Sequence, residues 1–126
     1  MKDLIAFLLL MAGGTTIFSC SPKTDLEGFD EAAWKEDTGG CSGKRVELSE
    51  SIPGIKEDLM GMGQKEIQSV LGKPDRHELS RRNRKYFIYY IEAGPACPAT
   101  SDASPRSLWV GFDALGRTNE VVFQQN

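Results

Sequence analysis

Histidine is almost missing from this chain, with His77 alone among 126 residues, and cysteine is limited to Cys20, Cys41 and Cys97. A zinc site draws three or four ligands from His, Cys and carboxylates at characteristic spacing, and no such cluster occurs, so no metal is expected. His77 sits among arginines with no cysteine beside it, which leaves a nucleophilic thiol without its base. Positive charge is not in excess either: 15 Lys and Arg face 18 Asp and Glu, a formal charge of −3. That balance argues against nucleic acid as a partner. Gly61-Met62-Gly63 lacks the third glycine and the preceding buried strand of a dinucleotide loop. No catalytic residue, cofactor or small-molecule substrate is therefore expected, and the chain does not read as an enzyme. A long apolar run is absent as well. The stretch from Leu4 to Ala12 would span roughly 14 Å as a helix, whereas a bilayer core takes about 20 apolar residues.

What is present at the start is a secretory pattern: Lys2 and Asp3, the short apolar run, then Ile17-Phe18-Ser19-Cys20. This tetrapeptide resembles the lipobox of bacterial lipoproteins, with an aliphatic residue three before the cysteine and a small one directly before it. The resemblance implies a signal peptide over residues 1–19, lipid attachment at Cys20 and, with Ser21 following, an outer-membrane location. Two or three acyl chains at about 0.8 kcal/mol per buried methylene would hold the protein on a membrane. The alternative is an ordinary signal peptide cleaved nearby.

The exported address makes an oxidising compartment plausible, so Cys41 and Cys97 are candidates for a disulfide, the alternative being two buried thiols. A bridge would help a mature chain small enough to bury only a modest core.

Residues 20–28 carry no apolar periodicity and read as a tether. Residues 29–43 are expected to hold a short helix, with Phe29, Ala33 and Trp34 on one side, and then the Cys41 loop after Gly39-Gly40. In the segment that follows, Leu48, Ile52, Ile55 and Leu59 form one helical face, interrupted by Pro53-Gly54. A second helix is punctuated by Gly63 as N-cap, the stripe Ile67, Val70, Leu71, and the stop Gly72 with Pro74 beyond. From Lys85 the period becomes two: 85–92, 107–113 and 118–125 read as strands, the last pair joined by a turn at Gly116. The fold class expected is α+β, a two-layer domain over 44–126. Two helices pack on a three-stranded antiparallel meander, with a short extra N-terminal helix.

The segment from Leu59 through Gly61-Met62-Gly63 to Leu71-Gly72-Lys73-Pro74-Asp75 resembles the SmpA/OmlA/BamE family of small outer-membrane lipoproteins. Tyr86-Phe87-Ile88-Tyr89-Tyr90 matches that family's Tyr-rich strand, and Phe112-Asp113-Ala114-Leu115-Gly116-Arg117 its later hairpin. The resemblance covers roughly residues 55–126. It implies the same helix-on-sheet fold and an accessory role in outer-membrane assembly or envelope integrity, with another envelope protein as partner. Secreted β-lactamase-inhibitor proteins share the general fold, so an inhibitor or regulator of an exported enzyme is the alternative function.

Two candidate surfaces follow. The first expected strand is apolar on both sides, with Tyr86, Ile88 and Tyr90 on the side away from the helices and Trp109 next door. That second face is either covered by the Phe29–Trp34 helix, fastened by the disulfide, or left open as a partner surface. Arg81, Arg82, Arg84 and Lys85 concentrate positive charge before that strand. They form either a solvated loop or a patch for lipid headgroups or an acidic partner, with the acidic 25–37 segment as a further place for the charge to go.

Overall fold

A computed structural model of the chain describes residues 28–98 and 104–125, together with Gly14 and Leu26. Cys20, the signal-like run and most of the expected tether lie outside these residues.

Helix α1 spans Glu31–Glu36 and is capped by Asp30, whose carboxylate accepts the Ala33 N–H at 3.1 Å. A side-chain oxygen there satisfies one of the backbone donors that a helix start leaves open. Next come a 3-10 turn at Thr38–Gly40, helix α2 at Lys44–Leu48, a second 3-10 turn at Ser49–Ser51, and α3 at Ile52–Leu59. The run from α2 to α3 keeps right-handed helical angles through both junctions, so it is one bent helical unit. Pro53 stands in the first turn of α3, where its missing N–H costs nothing. Helix α4, Gln64–Leu71, begins at Gly63 and ends at Gly72, where φ is +80°.

The sheet is four-stranded and antiparallel, with β1 (Arg76–Leu79), β2 (Lys85–Tyr90), β3 (Arg106–Phe112) and β4 (Thr118–Gln125) in spatial order. The fold is thus α+β, with three helical units and one strand more than the sequence predicts. β1 is missing from the expectation because Arg76, His77, Glu78 and Leu79 are all exposed and offer no buried alternation. Its pairing with β2 comes from the turn between them, where Asn83 takes a left-handed φ of 57° and its N–H bonds the Ser80 carbonyl at 3.0 Å. Asparagine tolerates that conformation better than most residues. β2 stops at Tyr90, short of the expected Glu92. The last hairpin turns on Gly116 as expected, with φ +78°. Asp113 organises that turn by accepting the N–H groups of Leu115 and Arg117 at 2.9 and 3.0 Å.

The helices among the described residues all cover one face of the sheet. Trp34, Ile52, Ile55, Leu59, Ile67, Val70 and Leu71 meet Phe87, Tyr89, Ile91, Leu108, Val110, Phe112 and Val121 in one buried cluster. Helix α1 therefore sits in the same layer as the others, which overturns the alternative in which it covers the second face. Trp34 stands 6.3 Å from the Tyr89 ring and 5.6 Å from Phe29, so the aromatic side chains that make this short helix stable point to the common core. Leu26, placed in the tether by sequence, packs against the same core. The Gly-Met turn between α3 and α4 is zipped to β4: Gly61, at φ +85°, donates to the Thr118 carbonyl at 2.8 Å, and Thr118 donates to Met62 through both its N–H (2.8 Å) and its hydroxyl (2.9 Å).

Candidate functional site

Chemistry concentrates in two places, at opposite ends of β2. At the Tyr90 end the 37–45 segment is clamped to the sheet. Arg45 is buried, and its Nε donates to the Trp34 carbonyl at 3.0 Å while Nη1 reaches Asp75 Oδ2 at 2.7 Å and the Tyr90 carbonyl at 3.1 Å. Its guanidinium lies 4.9 Å over the Trp34 ring. Asp75 accepts further N–H groups from Gly39 at 3.0 Å and Tyr90 at 2.8 Å. A buried ion pair survives only when both partners are also hydrogen-bonded, and here both are.

Asp37 holds the other side of the loop by accepting the N–H of Ser42 at 2.7 Å and of Arg45 at 3.0 Å. Burial works against its charge, but these backbone donors outweigh it and keep the Asp37 carboxyl below its usual range. Tyr89, hydrogen-bonded to the Gly72 carbonyl at 2.9 Å, is pushed above its usual range by burial.

The Cys41–Cys97 disulfide closes the clamp, with an S–S distance of 2.00 Å and Cα atoms 5.5 Å apart. It fastens the loop after α1 to the loop after β2, beside the sheet end. Gly40 allows the approach. At φ +72°, a Cβ there would lie 2.6 Å from the Glu92 carbonyl oxygen and 2.8 Å from that of Tyr90.

At the Lys85 end lie the predicted cations, and they divide into two pairs. Arg84 is tied to Glu120 at 2.9 Å and to Asn119, and it lies 5.4 Å over the Tyr86 ring. Lys85 donates to Gln64 Oε1 at 3.0 Å. Arg81 and Arg82 are exposed and make no ion pair among the described residues. A groove of about 520 Å³ opens between the two hairpin turns, lined among others by Arg82, Arg84, Asp113 and Asn119. The acidic N-terminal segment does not neutralise this end: among its described residues, Glu31 pairs with Lys35 and Glu36 with Lys44.

The second face of the sheet is largely closed. Ile88, Tyr90 and Trp109 are buried at 0, 7 and 8 % exposure, so they offer no open aromatic patch. Trp109 Nε1 donates to Ser107 Oγ at 2.9 Å, and Arg76 extends over its ring at 6.0 Å. The Tyr90 ring lies against Gly94, where a Cβ would come within 2.7 Å of it. Tyr86 alone keeps partial exposure. It leans on Gly111 and bonds Glu120, and burial, then the Glu120 charge, raise its pKa.

Among the described residues no group of three or more His, Cys, Asp or Glu is placed to hold a metal ion. His77 is exposed and packs edge-on against Phe87, with the rings 5.0 Å apart. No helix among them is long and apolar enough to cross a membrane.

Nothing in the sequence singles out the Arg45–Asp75 clamp, because a lone arginine in an amphipathic helix reads as solvated surface. The two ends of β2 thus carry different chemistry, a buried structural clamp at one and, at the other, guanidinium groups that make no ion pair among the described residues. No protein-family model matches the chain, and no solved structure matches it.

Proposed function

We propose that this protein is a lipid-anchored binding protein of the cell envelope, attached to the outer membrane through Cys20. In this reading it acts as a BamE-like accessory in outer-membrane assembly or envelope integrity, by contact and without turnover. The observation that carries the reading is the Cys41–Cys97 disulfide at the heart of the clamp. Structural disulfides persist in oxidising compartments, which agrees with the export pattern at the N-terminus.

The arrangement of the two ends supports a tethered platform. Chain entry through Leu26 and α1 lies at the Tyr90 end, against Trp34, Arg45 and Tyr89. Arg81 and Arg82 lie beyond Lys85, about 20 Å along the six residues of β2 at ~3.3 Å each. Arg81 and Arg82 therefore lie at the opposite end of β2 from Leu26 and α1, and their proposed target is an acidic surface on another envelope protein.

The experiment is affinity capture from detergent-solubilised membranes with native protein and with an Arg81→Glu/Arg82→Glu variant. Recovery of β-barrel assembly components by the native chain, reduced in the variant, supports the role. Recovery of one soluble exported hydrolase in their place would replace it with the inhibitor reading.

A further inference from the structure

The two outer strands of the sheet are defended unequally. β1 is four residues long, fully exposed, and carries Arg76, His77 and Glu78, the short charged form that discourages an added strand. β4 runs eight residues with one charge, Glu120, and no proline; among the described residues β3 is the only strand it pairs with, and its first residue, Thr118, is also bonded by the Gly61-Met62 turn. Beside it a groove of about 450 Å³ is lined by Ile52, Pro53, Lys56, Val121, Val122 and Phe123. We propose that β4 is a homodimer interface, at which a second copy of this chain adds its own β4 antiparallel about a two-fold axis at Val122.

The strand matches itself in charge and shape. Val121 and Phe123 face the helices, opposite Val110 and Leu108, while Glu120, Val122 and Gln124 face the other way, opposite Gly111, Trp109 and Ser107. An isologous interface must present the same residues from both copies, and a continuous sheet requires facing residues to share a side. With the axis at Val122 both conditions hold. Val122 faces Val122, Val121 faces Phe123, and Glu120 faces Gln124, while the bulged Asn119 lies outside the match. Each apolar side chain meets an apolar one, and each acid meets an amide, so no like charges oppose each other. Moving the axis to Val121 sets Glu120 against Val122 and loses this match. Phe123 of the second copy then arrives opposite Val121, a residue that lines the groove, and fills part of it. This interface does not depend on the lipid anchor or on any other protein.

The test is cysteine cross-linking of the full chain in native membranes. Val122→Cys places two thiols opposite each other and is expected to give an oxidised species of twice the monomer mass, whereas Leu115→Cys, in an exposed turn, gives none. Val122→Lys, which opposes two cations, is expected to halve the mass measured by sedimentation while the circular dichroism spectrum stays unchanged. A Val122→Cys protein that stays monomeric, or that cross-links only to a chain of different mass, would overturn the proposal.

Discussion

Arg45 and Asp75 meet at 2.7 Å with side chains 2 and 6 % exposed, and this one contact joins the bent helical unit to the junction of α4 and β1. The same guanidinium reaches the last carbonyl of β2. Three parts of the chain that are distant in sequence are thereby fixed to one charged group.

Removing either partner leaves the other buried and uncompensated. Asp75→Ala is expected to cost about 3–5 kcal/mol, read as a fall in the urea midpoint at unchanged slope. Replacing both residues by apolar ones of similar volume should cost less than the sum of the single changes, and a double-mutant cycle measures the difference.

Reduction of Cys41–Cys97 releases a constraint between residues 56 apart in sequence. The chain-entropy relation puts the loss at up to roughly 4 kcal/mol. Chemical denaturation with and without reductant checks it, and Cys41→Ala/Cys97→Ala should reproduce the reduced protein.

Gly40→Ala forces a side chain into a left-handed position, which costs about 1–2 kcal/mol, and drives its Cβ to 2.6 Å from the Glu92 carbonyl oxygen. Gly43→Ala has φ +82° but nothing within 4 Å of the new Cβ, so it should show the conformational cost alone. Thermal melts of the two variants separate strain from crowding.

Asp37 sets part of the pH dependence. Its carboxyl is lowered from the usual 3.8, so the folded state binds fewer protons than the unfolded chain. The stability it contributes is fully present above the unfolded value and is lost as pH falls through the folded one. Native protein and Asp37→Asn should therefore differ most near neutrality and converge in acid, as measured by denaturation midpoints across that range. Loss of charge-assisted bonds from Ser42 and Arg45 makes the neutral-pH gap about 2–3 kcal/mol.

Much of the fold was legible because its signals are local. Gly63 and Gly72 bracket α4, Gly116 makes the last turn, and the continuous aromatic and β-branched run in 85–90 marks a strand apolar on both sides. β1 was not, since its existence depends on pairing through Asn83 and not on any pattern of its own. The placement of α1 was also hidden: Phe29 and Trp34 announce docking, but only tertiary contacts choose which face of the sheet receives them. Of the candidate site, the disulfide pair could be named from export and parity of cysteines. Arg45 and Asp75 could not, because nothing local distinguishes a buried charge from a solvated one. The four predicted cations look equivalent in sequence, yet Glu120 and Gln64 occupy two of them and leave Arg81 and Arg82 without an ion pair among the described residues.

The proposed function rests on a lipid at Cys20 that holds the disulfide-fastened fold to a membrane. Intact-mass spectrometry of the protein purified from native membranes tests this most directly. The expected spectrum is a chain starting at Cys20, heavier by two or three acyl groups and lighter by the two hydrogens of the disulfide. A mature chain without acyl mass, recovered in the soluble fraction, would contradict it.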